Sequence, residues 1–201
     1  LNHIHPDGAS TRITYGVLNL AQRDDHANAN AVPIGQEIEV SLNLDHIAYR
    51  VPKGHKIRIA LSNAYWPLLW PMPDASTLQI SQGEVQLPIS PHGADDERHF
   101  QPPEAEEPWD VKQIRASDNQ RQITTDMKTG ITTLKIIDDF GAVEDQQHGM
   151  VSGSVAREWW SIHPDDPLSA RGKTHWTEER SRGDWITRTE AFAEMTSDAD
   201  N

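Results

Sequence analysis

The sequence predicts an all-β fold of the sandwich or barrel type. Several segments alternate apolar and polar residues with the period of two that is typical of half-buried strands, and turns rich in glycine and proline separate them. No segment keeps a 3.6-residue apolar period over the roughly 10 to 12 positions that identify an amphipathic helix. Many short strands joined by such turns favour a sandwich or a barrel.

The first half of the chain contains most of the alternating segments. In residues 37–44, "EIEVSLNL", apolar and polar side chains alternate strictly, and residues 56–63, "KIRIALSN", repeat the pattern after the turn "VPKGHK". Further strands are predicted at residues 13–21, 76–82 and 84–90. Pro88 places the last of these at a sheet edge or a bulge, because proline cannot donate to a ladder.

The second half predicts two hairpins. "RQITTDMKTGITTLKII" turns at "DMKTG", where Gly130 suits a positive φ, and "KTHWTEE" and "DWITRTEAFAEMT" flank the turn "RSRGD". Residues 91–119 are acidic, rich in proline and weakly hydrophobic, which predicts a long irregular loop or extension. We expect residues 1–201 to form a single domain, since β-sandwiches of this length are commonly one domain.

The net charge and the cysteine content of the chain limit which binding partners and which cellular location we expect. The 18 basic and 31 acidic residues give a formal charge of −13, which repels phosphate backbones and anionic lipid, so we expect no nucleic-acid and no membrane partner. The absence of cysteine excludes disulfides, thiolate metal sites and a cysteine nucleophile, and it favours a cytoplasmic location. The chain begins at Leu1 without a signal-peptide pattern or a methionine, so we expect it to be cut from a longer polypeptide.

No catalytic residue is predicted in this chain. The text closest to a G-x-S-x-G nucleophile elbow is "GMVSGSV", in which Val151 precedes Ser152 and Gly153 follows it, so the spacing fails. Serine, histidine and aspartate are abundant, but a triad is a spatial arrangement that also needs an exposed serine.

The residue spacing does not support a metal site or a cofactor. "HIH" places His3 and His5 on the same face of an extended segment, but no H-E-x-x-H or similar spacing accompanies them. In "SIHPDDPLSA", Asp165 and Asp166 follow His163 and offer oxygen ligands of the kind that Ca²⁺ prefers. An Asx turn next to a proline is the favoured interpretation of that segment.

The stretch "SNAYWPLLWPMP", residues 62–73, carries Tyr65, Trp66 and Trp70 among three prolines. Three interpretations remain open for it: a platform for sugar rings, a part of the core, or a docking surface for another protein. Prolines stiffen the backbone and lower the entropy cost of presenting rings to a partner. "EWW" adds Trp159 and Trp160, which face opposite ways if that segment is extended.

Four segments together resemble the C-terminal β domain of the CocE/NonD hydrolases, a group related to X-Pro dipeptidyl-peptidases and cocaine esterase. They are "YGVLNLAQRD", "VPKGHKIRIALSNAYWPLLWPMP", "SIHPDDPLSA" and "RGDWITRTEAFAEMTSDA". The resemblance implies a jelly-roll β-sandwich of the galactose-binding-like kind. It also implies a parent serine hydrolase whose N-terminal α/β-hydrolase domain bears the Ser-His-Asp triad and whose helical cap is likewise absent here.

By that resemblance the chain is a non-catalytic domain whose partner is its own hydrolase domain, and Tyr65, Trp66 and Trp70 border or contact that domain. The family pattern continues as a strand beyond "TSDAD", so we expect a missing terminal strand and an open sheet edge. Pairing with a second copy would cover such an edge and make a homo-oligomer. The alternative function is a free-standing carbohydrate-binding module that uses the same aromatic residues.

Overall fold

The computed structural model describes residues 1–74, 76–90 and 100–198. Its strands form two antiparallel sheets, which confirms the all-β class and is consistent with a β-sandwich. Within these ranges no helix has the length and hydrophobicity of a membrane-spanning segment. The strands are β1 (Asn2–Ile4), β2 (Ser10–Arg12), β3 (Lys56–Arg58), β4 (Val111–Arg115), β5 (Asp118–Thr125), β6 (Thr132–Asp145), β7 (Val151–His163), β8 (Asp166–Arg182) and β9 (Trp185–Thr196), with a 3₁₀ turn at Leu20–Gln22.

The chain divides into two compact units, Leu1–Ser62 and Asn63–Asn201. The expectation of a single domain over residues 1–201 stays a prediction. In the first unit β1 is the central strand of a small sheet with the order β2-β1-β3. The strand predicted at residues 56–63 is therefore present, but only over its first three residues.

The other strands predicted in the first half are wrong. Residues 13–21 are hydrogen-bonded to Asp45, which directly follows the segment 37–44: the Asp45 amide donates to the Tyr15 carbonyl at 3.0 Å, and the Thr14 hydroxyl donates to the Asp45 carbonyl at 2.8 Å. Alternation describes the side chains, whereas a strand also needs a continuous backbone partner. Residues 76–82 and 84–90 also form no ladder with any part of the chain that the structure describes.

The second unit contains a long sheet with the order β4-β6-β7-β8-β9, in which β5 also pairs with β6. Both predicted hairpins are confirmed. The Asp126 amide donates to the Ile131 carbonyl at 2.9 Å and Gly130 has a φ of 75°, while Arg182 pairs with Trp185 across the second turn. Strand β4 lies inside the predicted loop, so that loop is too long at its C-terminal end, and its residues 91–99 lie outside the described ranges.

The turn between β6 and β7 is held by the buried Asp145 carboxylate. It accepts hydrogen bonds from the amides of Gln147 at 2.7 Å and His148 at 3.3 Å, and from the His148 ring. Burial alone would raise the pKa of Asp145, but these donors together hold it below its ordinary value. The ionised carboxylate is therefore the form that stabilises the turn.

Replacing Asp145 with asparagine is expected to lower the thermal unfolding midpoint by a few degrees near neutral pH. Because the folded-state pKa lies below that of the unfolded chain, the carboxylate stabilises the fold above about pH 4 and loses this effect as the pH falls through the folded pKa. The gap between wild type and Asp145→Asn should therefore close on acidification. Circular-dichroism melts over a pH series measure this, with Asp184→Asn in the exposed β8–β9 turn as the control. A gap that stays constant with pH would refute the assignment.

Candidate functional site

The Trp-rich segment, residues 62–73, forms a compact turn in the second unit. The Leu69 amide donates to the Tyr65 carbonyl at 2.8 Å, and the Asn63 side-chain amide donates to the Ser76 carbonyl at 2.6 Å. The rings of Trp66 and Trp70 meet edge to face with centroids 5.0 Å apart, a favourable geometry for aromatic pairs. The segment thus presents its two tryptophans as one cluster.

Trp66 also packs against Trp160 of β7, edge to face at 5.9 Å. The Trp160 indole N–H donates to Glu158 at 2.8 Å, which fixes the ring on the sheet. Gly172 on β8 leaves room for that ring, because a Cβ at this position would lie 2.7 Å from it. The Trp-rich segment is therefore anchored on the long sheet through Trp160.

The three residues predicted as an interface differ in exposure. Tyr65 is 37% exposed, whereas Trp66 and Trp70 are half-buried against each other. The Trp70 indole N–H is buried and meets no acceptor among the residues that the structure describes. Leu68 and Met72 of the same segment are exposed. Their role as an interface stays a prediction, and none of the three lies deep in a core.

One side of the long sheet groups several apolar side chains. Residues paired directly across antiparallel strands point to the same side of a sheet, so Trp160 shares its side with Leu134, Gly172 and Met195. We call this side the Trp160 face. Its apolar members include Ile123, Leu134, Ile136, Ala156, Trp160, Ile162, Trp176, Trp185, Ala191, Ala193 and Met195, and Asp138, Glu158 and Glu178 lie among them.

Part of the Trp160 face is uncovered. Ala156 is buried, but Trp176 is 49% exposed and Met195 is 53% exposed. Contiguous apolar surface of this kind is typical of a contact site for another protein or domain. The exposed portion continues from the row that holds Trp160 to the outer strand β9.

The opposite side of the sheet is richer in charge. Arg171 pairs with Glu194, and the Lys173 ammonium lies 5.8 Å above the ring of Trp159. Phe192 stacks on His175 with centroids 4.2 Å apart. Trp159 and Trp160 thus lie on opposite sides of β7, one under a lysine and the other under the Trp-rich segment. The two faces differ enough for one to serve as the control of the other.

Sequence reasoning missed Trp176 and Met195 as members of a common face. The signal was present in β9, where Ala191, Ala193 and Met195 alternate with Phe192 and Glu194. What the sequence did not contain was the register that aligns these residues with Trp160. Register is a property of strand pairing, and a slip by one residue exchanges the two faces.

Three histidines meet in the first unit. His3 lies in β1 and His5 directly follows that strand, and their rings stack as expected for side chains on one face of an extended segment. His55, which no pattern had connected with them, immediately precedes β3. Their ring centroids are 4.1 to 5.3 Å apart. His3 is buried, and burial together with the two neighbouring rings lowers its pKa.

The other sequence candidates have local roles. Ser152 lies within β7, opposite Val143 and Arg180, so its backbone is extended and not an elbow. At the start of β8, directly after the turn that follows β7, the Asp166 carboxylate accepts from the Leu168 amide at 3.1 Å. The Ser169 hydroxyl accepts from the His163 amide at 2.7 Å. These hydrogen bonds support the Asx-turn interpretation over a calcium site.

The two antiparallel sheets place the chain in the class of all-β domains of the sandwich type. Residues 1–112 match the family described as the X-Pro dipeptidyl-peptidase C-terminal non-catalytic domain, and the chain belongs to this family. The match includes the small sheet and the Trp-rich segment, while Trp160 and most of the long sheet follow it in sequence. No curated protein and no solved structure is significantly similar to the chain.

Proposed function

We propose that this chain is the non-catalytic C-terminal β domain of an α/β-hydrolase-type serine hydrolase, and that it packs on the catalytic domain and shapes its active-site surroundings. The reaction class is cleavage of acyl ester or amide bonds, including X-Pro dipeptidyl-peptidase activity. The family match over residues 1–112 is the observation that carries this proposal. The N-terminal hydrolase domain is then the principal partner.

The surface of the second unit supports this role. The Trp-rich segment contacts Trp160 through Trp66, while its Leu68 and Met72 side chains are exposed to solvent. The Trp160 face continues from Trp160 to Met195. Burying such residues against a partner releases about 25 cal/mol per Å² of apolar surface. A fixed backbone and locked rings keep the entropy cost of that contact low.

The catalytic groups of the proposed enzyme belong to the partner. The serine nucleophile, its histidine base and the orienting aspartate must meet within hydrogen-bond reach on a scaffold that exposes the serine. The β domain contributes by excluding water and limiting the shape of substrates at the mouth of the site. A cytoplasmic location is part of the same proposal, since a chain without cysteine suits a reducing compartment.

The isolated chain is expected not to accelerate the hydrolysis of a p-nitrophenyl ester or of an X-Pro dipeptide p-nitroanilide. The coding sequence upstream of Leu1 is expected to encode, in frame, an α/β-hydrolase with a G-x-S-x-G elbow. Turnover by the isolated chain that persists through repeated purification and is lost in Ser152→Ala would overturn the non-catalytic assignment. An upstream frame without a hydrolase would overturn the proposed partner.

A carbohydrate-binding module is the competing function, and the ring geometry argues against it. A sugar platform needs a flat ring face open to solvent, but Trp66 is contacted by both Trp70 and Trp160. Calorimetric titration with a panel of mono- and oligosaccharides tests this directly. We expect no binding at millimolar sugar, whereas binding that is lost in Trp66→Ala or Trp70→Ala would establish the module instead.

A further inference from the structure

We propose that His3, His5 and His55 form a binding site for a divalent transition-metal ion, with Zn²⁺ as the best-fitting candidate. One ring nitrogen from each histidine lies within 4.8 Å of the others. The sequence pattern identified only His3 and His5, and two imidazoles alone do not form a metal site. The fold adds the third ligand.

The backbone explains why the three rings converge. β1 and β3 are antiparallel, with His3 opposite Ile57 and Ile4 opposite Lys56. Continuing this register places His5 opposite His55, and His3 lies on the same face as His5 because side chains alternate along a strand. His3 lies in β1, His5 directly follows β1 and His55 directly precedes β3, so two hydrogen-bonded strands of one sheet hold the three ligands close together.

Hydrogen bonds orient the rings for this purpose. His3 Nδ1 lies 2.8 Å from the Tyr49 hydroxyl, and His3 Nε2 is in hydrogen-bond contact with His55 Nδ1. When Nδ1 of His3 donates to Tyr49, its Nε2 carries the lone pair that points to the cluster. Ligating histidines are commonly held in this way by a second group on their other nitrogen.

The chemistry of the ligand set fits zinc. Neutral imidazole is a good ligand for borderline divalent ions, and three histidines plus water is a known tetrahedral zinc arrangement. Bonds of about 2.0–2.1 Å to zinc place two ligand nitrogens about 3.3 Å apart. On binding, the His3 and His55 nitrogens therefore move slightly apart, and the more widely separated pairs of ring nitrogens move closer together. The described hydrogen-bond partners of the three rings are Tyr49, Thr11 and one another, none of them a carboxylate. An ion bound here would tie β1 to β3.

Titration with Zn²⁺ alone, followed by calorimetry and by the thermal unfolding midpoint, tests the site. We expect one ion per chain, a raised midpoint that a chelator reverses, and a loss of affinity of more than tenfold in His5→Ala and in His55→Ala. Tyr49→Phe, which removes only the orienting hydroxyl, should cost about tenfold. Substitution with Co²⁺ should give the visible absorption of a tetrahedral nitrogen site.

Two features keep this experiment decisive. His5 is only partly buried and its described hydrogen bond is to Thr11, so His5→Ala tests the ligand even if variants of the buried His3 fail to fold. His46→Ala, at an exposed histidine of the same unit, is the control and should bind zinc as wild type does. Equal zinc affinity in wild type, His5→Ala and His55→Ala would overturn the proposal, as would the absence of stoichiometric binding. Neither outcome affects the hydrolase-domain proposal.

Discussion

Truncating Trp160 to alanine is expected to lower the free energy of unfolding by about 3 kcal/mol, the lower end of the range for buried tryptophans because this ring is half-buried. The side chain supports Trp66 from below and fills the space above Gly172. Its loss removes the anchor of the Trp-rich segment as well as its own contacts. Urea unfolding followed by tryptophan fluorescence and by far-ultraviolet circular dichroism measures the change.

Trp109→Ala is the matched control for this prediction. The same side chain is removed in the same unit, but Trp109 is 66% exposed, so we expect a loss below about 1 kcal/mol. Gly172→Ala gives an independent approach, because the added methyl group displaces the Trp160 ring without removing it. Similar losses in Trp160→Ala and Trp109→Ala would show that Trp160 does not anchor the segment.

Replacing Gly141 with alanine is expected to cost about 2–4 kcal/mol, from backbone strain and close contact combined. Gly141 lies at the irregularity of β6 between its pairings with β5 and β4, and has a φ of 77°. A Cβ there would lie 2.5 Å from the Arg115 carbonyl oxygen and 2.9 Å from the Ser117 nitrogen. Backbone atoms cannot move aside as a flexible side chain can, so the corner between β4 and β5 must shift.

Gly149→Ala separates the two causes. Gly149 also has a positive φ, 64°, but a Cβ there has no neighbour within 4 Å. It should therefore cost only the conformational strain, about 1–2 kcal/mol. Chemical denaturation of both variants under the same conditions gives the comparison. Equal losses at the two positions would mean that the close approach at Gly141 contributes nothing.

Local chemistry explains which parts of the fold the sequence predicts correctly. The two hairpins were found because "DMKTG" and "RSRGD" carry their turn signals within a few residues of the strands they join. The all-β class followed from the same turns and from the lack of a helical period. The β6–β7 pairing was not predicted, although Asp145 and Gly149 form a turn there, because the strands beside them lack clear alternation.

Non-local pairing explains the failures. Residues 37–44 alternate as strictly as any segment in the chain, yet no other described segment forms a continuous backbone ladder with them. The small sheet pairs β1 with a strand more than fifty residues away, and no local pattern specifies such a partner. For the same reason, the sequence did not predict that Trp160 contacts Trp66 or that His55 lies beside His3. Residue types were informative, but their juxtaposition depended on register.

The outer strand of the long sheet, β9, is the place in the structure where the open sheet edge expected from the sequence can be tested. Among the described strands, β9 pairs only with β8, so one of its backbone edges has no ladder partner there. Sedimentation of the isolated chain distinguishes a monomer from edge-paired copies. We expect a homo-oligomer to dissociate when proline replaces Thr189, on this outer strand, if edge pairing holds it together.

Hydroxyl-radical footprinting compares the isolated chain with a polypeptide that also carries the proposed N-terminal hydrolase domain. Met195 and Phe192 are neighbours on β9, are 53% and 66% exposed, and lie on opposite sides of the sheet. If the hydrolase domain covers the Trp160 face and the Trp-rich segment, oxidation of Met195, Trp176 and Met72 should fall severalfold while that of Phe192 is unchanged. Unchanged oxidation of Met195 and Met72 in the longer polypeptide would contradict the docking of a catalytic domain on this face.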